Sequence, residues 1–407
     1  MKCHLDTEVY SEVNLKDAGV YRYAEHESTE LLVACYAFDD GPVTVWIPQA
    51  PTSAYVVVSN LLKARLKEDD RIIVSASVPD DLRDHIAGDG QVWAHNAQFE
   101  RTVLNGVAGK KLGFPYIKIE QTRCTAAKMR VHGLPAALED ASAALGTAAK
   151  DLTGKGVMLQ LCRPRSGAVK RYDPAEVPDK YAQLFSYCAD DVRAERGIDN
   201  VVPDLTRAEQ AVYELDQRAN DRGILVDTKM IEDVQFLIDQ YKTELEALCR
   251  EWTGFKPTQR EKIAEWVRAN GYAQLPDMTA DTVRHCVKDD ACPEPVKNVL
   301  KLYSTYGMKA VSKYPKMLEA MCADHRLRGM FLHYGAGTGR WSSLIVQLQN
   351  LFRPVIKDTD TAIAEFRHRD LDWIRMLYQV DPMKVFSSCV RGALIAAPGH
   401  DILAIDY

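Results

Sequence analysis

The 407-residue sequence has no apolar run near the roughly 18 residues that span a bilayer, and it opens on Met1-Lys-Cys-His-Leu-Asp6 without the charged and apolar zones of a secretory signal. These absences exclude a helical membrane protein and lead to the expectation of a cytosolic protein, in the host cytosol if phage-encoded, with no membrane partner. Its ten cysteines include no CxxC pair, and Cys286 and Cys292 lack a neighbouring zinc-type ligand set. Reduced, mostly buried thiols are expected. Internal repeats and low-complexity segments are also missing, which excludes solenoids and linker-dominated chains. The composition that remains, 46% hydrophobic and 27% charged, suits two or three globular domains with sizeable cores.

Acidic residues outnumber basic ones, 57 to 51, for a net charge of −6, but the basic charge is unevenly distributed. Lys297 to Lys357 holds ten Lys and Arg against two acids, Glu319 and Asp324, an excess of eight. Such a strip, which includes Lys309 and Lys313, either neutralises nucleic-acid phosphates or is a solvated helix face.

The first 200 residues alternate β-type runs (2–5, 31–38, 44–47, 91–94) with helix-like stretches (53–67, 134–145). This alternation predicts a mixed α/β domain. The stretch around 154–167, with Pro174 and Pro178, reads as irregular before a helix over 181–196, and a boundary is expected near Pro203. Beyond it the pattern is helical. Residues 228–252 put Ile231, Val234, Ile238, Tyr241, Leu245 and Leu248 on one face, and further helical sets follow from 258, 279 and 295.

Three acidic clusters punctuate the first domain. Asp6 and Glu8 share one face of a strand end, where they are either solvent-facing or gathered round a cation. His95-Asn-Ala-Gln-Phe99-Glu100 follows an apolar strand and opens a helix, with Asn96 either capping that helix or serving a site. In Tyr187-Cys-Ala-Asp190-Asp191, helical spacing turns Tyr187 and Asp191 the same way and Asp190 elsewhere. Together, four acids and a tyrosine in this order resemble the three exonuclease motifs of the DEDD superfamily, tyrosine variant, with its ribonuclease H-like fold. The match departs at Glu100, where the superfamily has Asp; the longer side chain shifts the carboxylate outward.

This resemblance implies hydrolysis of the terminal phosphodiester from the 3′ end with two Mg²⁺ (or Mn²⁺) ions, about 3.5 to 4 Å apart. Asp6, Glu8 and Asp191 would hold one ion, near a water oriented by Tyr187. Asp6 and Glu100 would hold the other, and Asn96 and Phe99 would contact the DNA end.

The second half carries Thr338-Gly-Arg340-Trp-Ser342-Ser, then Gln347, Gln349-Asn350, Arg353, Arg391 and Ile402-Leu-Ala-Ile-Asp406-Tyr407. The glycines permit close approach of backbone to phosphate, and the hydroxyls and Arg340 suit phosphate oxygens. The whole run, together with Asn220-Asp-Arg-Gly-Ile-Leu-Val-Asp227, resembles a family A (DNA polymerase I-like) DNA polymerase of bacteriophage type. The organisation implied is a ribonuclease H-like exonuclease at 1–203 with a mixed sheet and flanking helices, a mainly helical thumb at 204–330, and the beginning of an α+β palm at 331–407.

Thr338, Arg340, Ser342, Gln349 and Asn350 would contact primer-template DNA. Asp406 would be the first metal-binding palm aspartate, at the end of an apolar buried strand, with the Tyr407 carbonyl beside it. Counterparts of the later polymerase motifs are absent, so excision and DNA binding are expected and polymerisation by this chain alone is not. A gene split, an intron, an intein or a truncated record would each account for the stop at motif A. A separate C-terminal chain or replisome factors are the further partners implied. A non-catalytic primer-template binding module is the alternative in a different class.

Overall fold

The computed structural model describes residues 1–147, 154–166 and 171–403. They form two compact units, 1–223 with 320–349, and 224–319 with the chain from 350 onward.

The first unit is built on a six-stranded mixed sheet. Its strands are β1 (Lys2–Tyr10), β2 (Glu30–Phe38), β3 (Thr44–Ile47), β4 (Arg71–Val74), β5 (Gln91–Ala94) and β6 (Thr122–Cys124), in the order β4-β3-β2-β1-β5-β6. β1, β2 and β3 form an antiparallel meander, while β4 runs parallel to β3, and β5 and β6 extend the β1 edge in parallel. The helices of this part are α1 (Leu15–Glu25), α2 (Ser53–Lys63), α3 (Asp80–Ala87), α4 (Gln98–Asn105), α5 (Val107–Lys111), α6 (Thr125–Val131), α7 (Leu138–Leu145), α8 (Gly154–Leu161), α9 (Pro178–Val201) and α10 (Arg207–Arg222).

β2, Glu-Leu-Leu-Val-Ala-Cys-Tyr-Ala-Phe, is nearly all apolar because both of its faces are covered. Val33, Cys35 and Ala37 pack with α2 and with Tyr181, Phe185, Cys188 and Val192 of α9. Residues of opposite parity, Ala34 and Tyr36, join Leu5, Trp46, Ile86 and Val103 on the other side. α9 begins with Pro178 in its first turn, where the missing N–H costs no hydrogen bond.

The second unit begins with β7 (Ile224–Val226), followed by α11 (Thr228–Thr253), α12 (Arg260–Ala269), α13 (Ala280–Lys288), α14 (Glu294–Tyr306) and α15 (Lys313–Ala320), the last residue of which falls in the first unit. Short strands β8 (Arg326–Leu327), β9 (Phe331–Leu332) and β10 (Ser342–Ser343) belong to the first unit. α16 (Thr359–Phe366), α17 (Leu371–Tyr378), α18 (Pro382–Ser388) and β11 (Leu394–Ile395) return to the second, where β11 pairs antiparallel with β7. Its core gathers Leu245, Ile263, Val267, Val283, Val296 and Leu300.

Several expectations change. The stretch after 154 is not irregular throughout: 154–161 is helical, because Leu161 is buried in the core and Val157 and Met158 pack against it, outweighing the poor helix propensity of Gly154 and Gly156. α10 lies in the first compact unit, which runs to Gly223 and takes in 320–349. The inner stripe of α11 runs through Cys249 to Thr253, with Leu248 39% exposed.

Residues 401–403 are not a buried strand. They have no regular structure, and Ile402 and Leu403 are 59% and 81% exposed, since among the described residues no strand is paired with them. Asp406 and Tyr407 lie outside the described residues. All ten cysteines are buried and free. Among the described residues, no helix is long and apolar enough to cross a membrane.

Candidate functional site

Alternation along β1 turns Lys2, His4, Asp6 and Glu8 to one face, and spacing by four along α9 aligns Tyr187, Asp191, Glu195 and Asp199. Two strand residues advance about 6.6 Å and four helical residues about 6 Å, so the two rows stay in step where they meet. Lys2 Nζ lies 2.7 Å from Asp199 Oδ2, and His4 Nδ1 lies 2.6 Å from Glu195 Oε2. The next step brings Asp6 and Glu8 to Asp191. Oxygens of these three carboxylates all lie within 4.8 Å of one another, the one such cluster of potential metal ligands among the described residues.

The β1–β2 register shifts between Glu8 and Val9, just past the two acids. A bulge there re-aims the strand without disturbing the shared face of Asp6 and Glu8. Glu8 and Asp191 are buried and Asp6 is partly exposed, so the cluster is reached from one side. Three carboxylates this close, mostly out of water, repel one another strongly, and a cation relieves that repulsion.

β5 ends at Ala94, and the chain turns into α4 through His95 and Asn96, the latter with φ of 75°. Asn96 does not cap α4: the capping position is Ala97, without a side-chain bond, because the left-handed turn comes one residue too early. Glu100 is buried to 4% exposure, and its Oε2 has no hydrogen-bond partner among the described residues. Burial, reinforced by the charge of Asp6, holds its carboxyl well above the usual range. Glu100 thus stands outside the three-acid cluster but feels it.

A cavity of about 530 Å³ opens over these groups. Asp6, Glu8, Asn96, Phe99 and Glu100 line it, together with Met158, Leu159, Cys162, Arg163 and Pro164 from α8 and the turn after it. Tyr187 is 3% exposed, and Gly154 sits against its ring: a Cβ on Gly154 would fall 2.2 Å from Tyr187 Cδ2. The Cys162 thiol donates to Glu8 Oε2 at 3.4 Å, and burial with the nearby Glu8 charge pushes that thiol well up. Asp190 turns away and pairs with Arg193 at 2.6 Å.

The contribution of α8 was missed because its stretch reads as a glycine-interrupted loop. The apolar set Val157, Met158 and Leu161 was the available signal.

The remaining candidates are dispersed. Thr338, Arg340, Ser342 and Gln349 are in the first unit; Lys309, Lys313 and Asn350 are in the second. Thr338 and Arg340 are exposed on a turn closed by Gly339 N–H to Ala336 O at 2.9 Å and Ala336 N–H to Arg340 O at 3.1 Å. Ser342 lies in β10, paired to β9, and its Oγ would be 2.0 Å from a Cβ on Gly335. Trp341 Nε1 donates to Asp216 Oδ1 at 2.7 Å and ties this segment to α10; burial raises the Asp216 carboxyl to about 6.

Gln349 and Asn350 are exposed. Lys309 is exposed beside a cavity of about 610 Å³ that Arg260 and Thr279 also line, and partial burial lowers the Lys313 amine. The basic strip is therefore divided between the units, and Arg328 within it is engaged by Asp324 at 2.7 Å.

The donor set of Asp6, Glu8, Asp191 and Glu100 is all hard oxygen, and the partnerless buried Oε2 of Glu100 suits an oxygen-preferring divalent ion such as Mg²⁺.

No protein-family model matches the chain. It is 30% identical over 414 residues to a DNA polymerase of Bacillus phage SP02, covering 99% of this chain and 59% of that protein. The chain thus spans about three-fifths of the length of this curated relative. Among solved structures, the POL domain of Pol1 from M. smegmatis, in complex with DNA primer-template and dNTP, aligns with a TM-score of 0.46 at 12% identity, covering 91% of this chain and 53% of that one.

Proposed function

We propose that this protein is a DNA-binding, DNA-trimming portion of a phage-type family A DNA polymerase, excising nucleotides from the 3′ end of DNA in a ribonuclease H-like domain over its first 200 residues. The observation that carries the reading is the convergence of Asp6, Glu8 and Asp191 within 4.8 Å, beside the buried Glu100 and under an open cavity. The six-stranded mixed sheet and the 30% identity to a phage DNA polymerase support it.

In this reading Asp6, Glu8 and Asp191 would hold one divalent ion, and Asp6 with Glu100 would hold a second. Bound there, Mg²⁺ would supply a nucleophile at neutral pH and stabilise charge on the leaving 3′ oxygen. Tyr187, fixed by the close approach of Gly154, orients the attacking water. Phe99 and Asn96 face the cavity and contact the terminal nucleotide, while Met158 and Leu159 shield it from bulk water.

Lys309, Lys313, Thr338, Arg340, Ser342, Gln349 and Asn350 are proposed to bind primer-template DNA, and Asp406 with Tyr407 to serve the polymerase metal. The test is incubation with 3′-labelled single-stranded DNA and Mg²⁺. Label release that disappears in Asp191→Asn is the expected result; intact label on DNA that stays bound would replace the nuclease with a non-catalytic binding module.

A further inference from the structure

Glu100 has an unusual problem. One of its carboxylate oxygens has no hydrogen-bond partner among the described residues, so the side chain is not held in place from that end. Its aim must come from α4, yet α4 has only eight residues and no side-chain cap. A helix this short is marginal without tertiary anchors.

The anchors are on the two neighbours of the motif pair Phe99-Glu100. Arg101 is 3% exposed, and its guanidinium makes a two-pronged bridge to Asp221, Nη1 to Oδ2 at 2.8 Å and Nη2 to Oδ1 at 2.7 Å, with a further bond to Gln217 Oε1 at 3.3 Å. Tyr21 of α1 donates to the same Asp221 Oδ1 at 2.5 Å and is itself contacted by Gln98 Nε2 at 3.2 Å. α4 is thereby clamped to α1 and α10 by the residues on either side of Phe99 and Glu100. Consecutive helical residues point about 100° apart, so anchoring Arg101 sets the direction of Glu100. A planar guanidinium held by two carboxylate oxygens fixes rotation as well as distance.

We propose that Asp221, acting through Arg101, is a positioning residue for the exonuclease reaction: it aims Glu100 at the second metal. Asp221 sits at the end of α10, 30 residues beyond Asp191 and outside all three acidic motifs. This inference rests on the exonuclease reading above and adds a residue to it. Removal of a group that orients a metal ligand typically lowers metal affinity or turnover by about 10- to 100-fold.

The experiment compares the whole chain with Asp221→Ala, Asp221→Asn and Arg101→Lys. It measures kcat and KM on single-stranded DNA with Mg²⁺, Mn²⁺ binding by spin resonance without DNA, and thermal melting. Asp221 is 29% exposed at its side chain, so Asp221→Asn is a mild change that keeps one acceptor for Arg101. Asp221→Ala should lower kcat by about 10- to 100-fold with little change in KM, and weaken only the looser Mn²⁺ site by a comparable factor. Asp221→Asn and Arg101→Lys should fall between it and the wild type.

A merely structural role would give a lower melting point with wild-type kcat and Mn²⁺ titration in the folded fraction, or would weaken both Mn²⁺ sites equally. Either result overturns the proposal. If the wild type binds two Mn²⁺ but does not cut DNA, the exonuclease reading fails alone, and the clamp is then judged by whether Asp221→Ala loosens the second ion. If the wild type binds no Mn²⁺, both fall.

Discussion

The β1–α9 seam contains two kinds of carboxylate pairing only two turns of helix apart. At one end, Asp199 meets Lys2 at 2.7 Å and Lys128 at 2.5 Å, Glu195 meets His4 at 2.6 Å, and Trp93 lies under both amines at 4.2 and 4.9 Å. At the other, the strand offers Asp6 and Glu8 to Asp191. Both rows repeat with nearly equal rise, so the seam continues from one end to the other; what changes is the chemistry of the β1 side chains, a lysine and a histidine at one end and two carboxylates at the other. The lesson is that a regular seam becomes a cluster of potential metal ligands where carboxylates replace the lysine and histidine on the strand. The balanced end then holds the strand and helix in register for the unbalanced one.

The most severe break should come at the acidic end. Asp191→Ala is expected to reduce nuclease turnover by about 1000-fold, roughly 4 kcal/mol of activation free energy, with little loss of thermal stability. Single-turnover cutting of labelled DNA, alongside a melting curve, checks both halves.

At the balanced end the outcome should invert. Lys128→Met leaves Asp199 with Lys2 but deprives a buried network of its amine, and should cost about 3 kcal/mol in urea unfolding while leaving Mn²⁺ affinity nearly unchanged. A large drop in Mn²⁺ affinity would show that the two ends are not separable.

Glu100→Gln sharpens the comparison through pH. A carboxyl held above the ordinary value of 4.5 stabilises the fold below that value and loses this contribution as pH rises through the folded value. Without metal, the variant should therefore be more stable than the wild type at neutral pH, with the gap closing toward pH 4.5. Excess Mg²⁺ should reverse the order at neutral pH; denaturation at several pH values with and without metal measures this.

The smallest effect sets the baseline. Lys118→Ala removes an exposed pair with Asp89 at 2.6 Å and should shift stability by less than about 0.5 kcal/mol.

Much of the site was legible because its parts are local. Asp6 and Glu8 share a face through strand alternation, Tyr187 and Asp191 through helical spacing, and both patterns are visible in a few residues. β3 and β5 begin and end where the apolar runs do. Illegible were the features made by distant partners: α8 bringing Met158 and Cys162 over the acids, and Arg101 reaching Asp221 across 120 positions. Of the two readings open for Asn96, the cap falls away because its left-handed backbone forms the turn before α4.

What the sequence determined by itself is which chemistry-bearing side chains exist and which face of its own element each occupies, because backbone periodicity is a property of a few consecutive residues. Only the tertiary structure decided that β1 and α9 lie in step, so that Lys2 and His4 balance two acids and Asp6 and Glu8 crowd a third. That outcome depends on the burial of the sheet and α9 against each other, an energy summed over the whole core, together with the Lys2–Asp199 and His4–Glu195 pairs along the seam.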